Sequence, residues 1–258
     1  MSLKDLLNKY YETFDVKTFI VNDPISIPHR FTNKEDVEIS GFLASTVAWG
    51  NRKAIIKSCN DMMERMDNKP YDFVVNACER EIQRLSGFYY RTFNESDLVS
   101  FIFALKNIYQ NHGGLEAVFT HGYNVSEQDK VKHAIIWFRK IFFEAECPLR
   151  VQKHVANPEK GSAAKRINMF LRWMVRDDEN GVDFGLWKNI DKKDLIIPMD
   201  VHVGNTARKL HIIDGKANNW KAASELTDFL KTLDAEDPVK YDFALFGIGN
   251  AKINIDEC

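Results

Sequence analysis

Apolar residues recur at helical spacing along nearly the whole chain, and no stretch alternates strictly enough to read as a half-buried strand. This pattern predicts an all-α fold. The first helix is expected over 2–14, and 15–34 reads as a loop marked by Asp23-Pro24 and Ile27-Pro28. A helical region runs from Asp36 to about Met66; its small-residue centre (Gly41, Ala44, Ser45, Ala48, Gly50) predicts close packing and a break near Trp49-Gly50-Asn51. Pro70 opens a helix that Ser86-Gly87 ends, and Asp97 caps another that stops at Gly113-Gly114. Further helices are expected near Leu115–His121 and over Glu127–Glu144, Trp220–Leu233 and Pro238–Phe246. Leu195-Ile196-Ile197 is a weak strand candidate, with no hairpin signal, internal repeat or low-complexity tract.

The chain has 258 residues, enough for a sizeable core, and its 45% hydrophobic content with 18 Phe excludes a disordered chain. A net charge of −2 excludes a strongly basic binding domain, although not a local basic face. The opening MSLKDLLNKYYETF is amphipathic and lacks the apolar centre of a signal peptide. No window supplies the roughly 18 apolar residues of a membrane span. A soluble, cytoplasmic monomer is expected. Cys59, Cys78, Cys147 and Cys258 show no metal-ligand spacing, and the seven histidines are dispersed, so neither a metal nor a cofactor is expected.

The stretch from Gly161 to Leu210 carries the candidate chemistry. In GSAAKRINMFLRWMVR, Ala164, Ile167, Leu171, Met174 and Val175 form one apolar helix face, and Lys165 falls in the first turn beside Arg166 and Lys160. A lysine becomes a nucleophile only as the neutral amine; the positive end of a helix and cationic neighbours disfavour the ammonium. In DLIIPMDVHVGNTARKL, Asp200 stands where a helix N-cap belongs, ahead of His202 and Arg208. An aspartate there can stabilise developing positive charge or move protons. A lysine in such a pair is more often simply solvated, and an aspartate at a helix start more often simply a cap.

IPMDVHVGNTARKL resembles the segment in which helix-hairpin-helix DNA glycosylases carry their catalytic aspartate, with Asp200-Val201-His202-Val203 in place of Asp-Thr-His-Val. Gly161-Ser-Ala-Ala-Lys165 resembles the Gly-x-x-x-Lys that opens the second helix of their hairpin motif. The wider pattern, from DVEISGFLASTVAWGNRK to DPVKYDFALFGIG, resembles a DUF2400-like bacterial family of uncharacterised function related to that superfamily, nearest the archaeal 8-oxoguanine glycosylases. The resemblance implies a glycosylase-like unit over 1–258 made of two helical subdomains with a cleft between them. The N-terminal and C-terminal helices would form one subdomain and roughly 36–175 contribute the other. It also implies double-stranded DNA with a damaged base as partner, Lys165 as Schiff-base nucleophile and Asp200 as its assistant. Trp49, Asn51, Arg52, Lys160, Gly161, Arg166, Trp187, His202 and Arg208 would contact DNA or the base. Lys53, Arg172 and Lys209 are further phosphate candidates.

Two departures from that pattern stand out. Lys165 and Asp200 are 35 positions apart, wider than in typical glycosylases, and DDENGVDFGLWKNIDKKD fills the extra length. The usual Leu-Pro-Gly-Val-Gly hairpin is replaced by Asn157-Pro158-Glu159-Lys160-Gly161. A non-catalytic nucleic-acid-binding module, or an all-α small-molecule enzyme or interaction scaffold, therefore stays open beside the glycosylase reading.

Overall fold

A computed structural model describes residues 1–13, 16–178 and 180–250. In chain order the helices are α1 Leu3–Glu12, α2 Val16–Asn22, α3 Lys34–Thr46, α4 Arg52–Arg65, α5 Pro70–Asn76, α6 Glu79–Ile82, α7 Glu95–Asn111, α8 Leu115–Asn124 and α9 Lys130–Phe142. They continue as α10 Lys165–Val175, α11 Val201–Lys209, α12 Trp220–Leu233 and α13 Tyr241–Asn250. Strands β1 (Tyr89–Tyr90) and β2 (Phe93–Asn94) form one short antiparallel hairpin. The chain is mostly helical, as its periodicity requires. No described helix is long and apolar enough to cross a membrane.

Local chemistry sets most boundaries. Ser2 caps α1, its hydroxyl accepting from the Asp5 N–H at 3.2 Å while Asp5 accepts from the Ser2 N–H. The expected end of this helix at Phe14 lies outside the described residues, as does Cys258. The break between α3 and α4 comes at Gly50, whose φ of +102° a side chain would strain. Five expectations change. The loop over 15–34 contains α2, and the helix expected from Pro70 to Leu85 is interrupted at Ala77-Cys78. α7 is capped by Asn94 rather than Asp97; Asp97 is the third residue of the same capping box, its carboxylate accepting from the Asn94 N–H at 3.0 Å. Ile196-Ile197 joins no ladder among the described residues, while the β1–β2 hairpin arises where no signal was read.

The chain divides into two compact units, Lys17–Ala156 and Met1–Val16 with Asn157–Cys258. The sequence grouped α10 with the first of these; its partners place it in the second. The Lys17–Ala156 unit is built on phenylalanine. Phe119 stacks on Phe138 at 4.4 Å, Phe101 meets Phe142 edge-on at 4.8 Å, and Phe42 lies 5.3 Å from Phe138. In the other unit α13 packs against α1 and α11, with Leu7, Ile197, Val203, Leu226, Tyr241 and Leu245 in one apolar cluster.

The 177–194 segment closes over the end of α10. Its Phe184 and Trp187 amides donate to the Trp173 and Met174 carbonyls at 2.8 and 2.9 Å, satisfying groups the helix end leaves open. Beneath it the fully buried Arg176 guanidinium donates to Asp178 and Asp183 at 3.0 Å, to Asp237 at 2.9 Å and to the Tyr11 hydroxyl at 2.7 Å. Burial works against that charge, but Asp183 and Asp237 outweigh it and push the Arg176 pKa up. Arg176→Ala takes their guanidinium from Asp178 and Asp237 and leaves Asp183 with Arg172 alone, so it is expected to lower stability by about 3–5 kcal/mol in urea unfolding. A loss under about 1 kcal/mol would show that the network contributes no more than a surface pair.

Candidate functional site

The turn before α10 is fixed from three sides. The Asn157 side chain accepts from the Glu159 N–H at 2.9 Å, Gly161 turns the chain at φ +83°, and the Gly161 carbonyl accepts from the Trp220 N–H at 3.0 Å. Lys160 and Gly161 are exposed on this turn. Ala164, in the left-handed region at φ +47°, then sets the direction in which α10 starts, with Lys165 as its first residue. Lys165 is half-buried, and its Nζ lies 3.4 Å from the Met169 sulfur one turn on. Arg166 beside it is also half-buried, and burial lowers its pKa to about 10. Asn168 is buried; its amide donates to the Ala163 carbonyl at 3.0 Å and its Oδ1 has no hydrogen-bond partner among the described residues.

The aspartate arrives from the far side of the 177–194 segment. The Ile197 N–H donates to the Thr227 hydroxyl at 3.1 Å, which pins the run ahead of Pro198 to α12. Asp200 then caps α11, its Oδ1 accepting from the Val203 N–H at 2.9 Å. It is half-buried, while Val201 and His202 beyond it are exposed.

A third carboxylate, not singled out in the sequence, connects the two. Asp242 on α13 has a side chain only 14% exposed and accepts a hydrogen bond from Arg172 of α10. Burial raises its pKa to about 6; Arg172 and Lys165 oppose that rise, and the Asp200 carboxylate adds to it. Asp242 therefore senses Arg172, Lys165 and Asp200 together. Such a set can supply a nucleophile, a charge stabiliser and an acid that is partly protonated near neutral pH. Asp242 lies in DPVKYDFALFGIG, but no local motif marks it.

The remaining candidates fall into three groups. Trp187 is 1% exposed and meets Phe170 edge-on at 5.4 Å, so core packing replaces its expected role as a base contact. Arg172, 3% exposed and bound to Asp183 and Asp242, is likewise no phosphate contact. Arg208 is half-buried and donates to the carbonyls of Gly215 and Ala217 and to Asn218 Oδ1, which organises the loop before α12 and leaves little of it for DNA. In the Lys17–Ala156 unit, Trp49, Asn51 and Arg52 are neighbours in the α3–α4 turn. Asn51 caps α4 by accepting from the Ala54 N–H at 3.2 Å; Arg52 lies 4.0 Å from Asp23 and keeps 42% of its side chain exposed.

The chain belongs to the DUF2400 family, a protein family of unknown function, which it matches over residues 23–251. No curated protein and no solved structure matches it.

The Asp242 carboxyl makes stability depend on pH. Between about pH 4 and pH 6 the folded protein keeps a proton that the unfolded chain has released, so stability falls as pH rises through that window. Asp242→Asn has no such proton to lose. Its stability relative to wild type is expected to rise between pH 4 and pH 7 by up to about 3 kcal/mol, read from urea unfolding at both pH values. A difference that stays constant would mean that Asp242 titrates as an ordinary surface carboxylate.

Proposed function

We propose that this protein is a DNA base-excision glycosylase, with lyase activity through Lys165, on a helix-hairpin-helix-like frame in which the Asn157–Gly161 turn and α10 stand for the hairpin motif. The observation that carries the reading is the convergence of Lys165 and Asp200 on Asp242, across the 35 positions that separate lysine and aspartate in sequence. The substrate is duplex DNA with a damaged base, of which oxidised purines are the first class to test. The damaged nucleotide leaves the stack to reach the site.

The reaction assigns one role to each group. Lys165 Nζ bonds to the sugar C1′ as the C1′–N bond breaks, and the bonding pair leaves with the base. The protonated Asp242 carboxyl supplies the proton the departing base needs. The Asp200 carboxylate stabilises the positive charge that develops on the sugar and takes the proton shed by the lysine nitrogen. Asp200 passes that proton to the ring oxygen as the ring opens to an imine between Lys165 and the sugar. The Asp242 carboxylate then takes a C2′ proton, the 3′-phosphate leaves with its bonding pair, and water finally hydrolyses the imine.

Borohydride reduces such an imine to a stable bond. Wild type is expected to form a covalent adduct with duplexes carrying 8-oxoguanine or an abasic site, and Lys165→Gln to form none. Base release that survives in Lys165→Gln but disappears in Asp200→Asn would instead place water as the nucleophile. Neither adduct nor base release across oxidised, deaminated and abasic duplexes would sink the enzymatic reading.

A further inference from the structure

Basic and aromatic side chains meet at one edge of the Lys17–Ala156 unit, where the β1–β2 hairpin touches the α3–α4 turn. Tyr90 holds the two together: its hydroxyl donates to the Trp49 carbonyl at 2.6 Å, and its ring meets the Trp49 indole edge-on at 5.4 Å. Arg91 at the hairpin tip has φ +54°. Its guanidinium lies over Gly50 so closely that a Cβ there would come within 2.3 Å of Arg91 Nη1. The turn therefore favours glycine for its backbone, and a side chain there would displace the Arg91 guanidinium.

A second arginine is also held in place. Arg150 donates to Asn94 Oδ1 at 2.6 Å and to the Thr92 carbonyl at 3.3 Å, and lies 3.2 Å from Asp97, yet 38% of its side chain is exposed. Asp97 itself is fully buried, so it anchors the arginine and adds no exposed negative charge. Arg52, Lys53, Arg91 and Tyr89 are exposed at the same edge, and Trp49 is half-buried between them. Of the other carboxylates nearby, Asp23 lies 4.0 Å from Arg52, Glu95 is engaged by the Gly87 N–H and the Ser86 hydroxyl, and exposed Glu146 shares a surface cavity with Asn94 and Glu95. Cations interleaved with aromatic rings suit a nucleic-acid strand, whose phosphates take the charges and whose bases stack on the rings. Arginines fixed before binding lose less freedom on binding. An acidic peptide would use the charges but not the flat rings.

We propose that this edge binds a nucleic-acid strand, with Arg52, Lys53, Arg91 and Arg150 contacting phosphates and Trp49 or Tyr89 stacking on a base. The proposal rests on the nucleic-acid reading above and adds to it residues of the Lys17–Ala156 unit, none of them Lys165 or Asp200.

The test is fluorescence anisotropy of the full chain with labelled 20-nucleotide single-stranded and duplex DNA from 50 to 200 mM salt. Arg91→Gly suits the left-handed backbone, and circular dichroism would confirm its fold. It is expected to weaken binding about three- to tenfold and to reduce the slope of log K against log salt by about one phosphate contact. Arg91→Lys is expected to restore the slope. Wild type that traps on an abasic duplex, with binding and slope unchanged in Arg91→Gly, would overturn this surface and leave the Lys165 chemistry standing. Wild type that neither traps nor binds would overturn both. Tighter binding of a labelled oligoglutamate than of either DNA would overturn the proposal in favour of a protein partner.

Discussion

The buried Arg172 and Arg176 guanidiniums set the geometry of the unit that carries Lys165. Both project from α10, and between them they engage Tyr11 of α1, Asp178 and Asp183 of the 177–194 segment, Asp237, and Asp242 of α13. A buried charge without a partner costs several kcal/mol, so each of these contacts has to form for the unit to close. Two guanidiniums thereby fix three stretches that lie far apart in sequence. Arg172 also lies over the Phe243 ring at 4.3 Å, and Arg176 over Phe243 and Tyr11 at 5.7 Å, so the charges are held by aromatic faces as well as by carboxylates.

The same stripe of α10 reaches the candidate site. Positions 165, 169, 172 and 176 follow the spacing that places side chains on one helix face. Lys165 is at one end, Arg176 at the other, with Met169 and Arg172 between. About 10 Å of helix separates Lys165 from Arg172, and Asp242 responds to both. The network that holds the 177–194 segment therefore also fixes the Asp242 carboxyl, through Arg172. The extra length between Lys165 and Asp200 is accounted for in the same way: Trp187 fills the core against Phe170, and Asp183 supplies charge to both arginines.

What the sequence made legible was local. Asp200 as a cap, α12 from Trp220 to Leu233, and the break at Gly50 each follow from a few adjacent residues, whose backbone needs are met by their own side chains. What it hid was tertiary or too short to have a period. A two-residue strand cannot alternate, so the hairpin that carries Arg91 left no trace. Asn94 and Asp97 share one capping box, and either could be read as its first residue. Helical periodicity marked Arg172 as polar, but it cannot distinguish a face turned to water from one turned to buried carboxylates. Asp242 gave no signal because its environment comes from α10, α11 and the 177–194 segment, which only the fold brings near it.

That distinction bears on what the net charge means. A formal −2 counts every aspartate equally, yet Asp97 and Asp183 are fully buried and the Asp178 side chain is fully covered. These acids are consumed inside, against Arg150, Arg172, Arg176 and His154, and project little field into solvent. Lys53, Arg91 and Lys160 are exposed instead. Association with a charged partner depends on the local field at the contact and not on the sum over the chain. A nearly neutral composition is therefore compatible with a basic edge, and the edge is located by asking which ionised groups the interior has already paired.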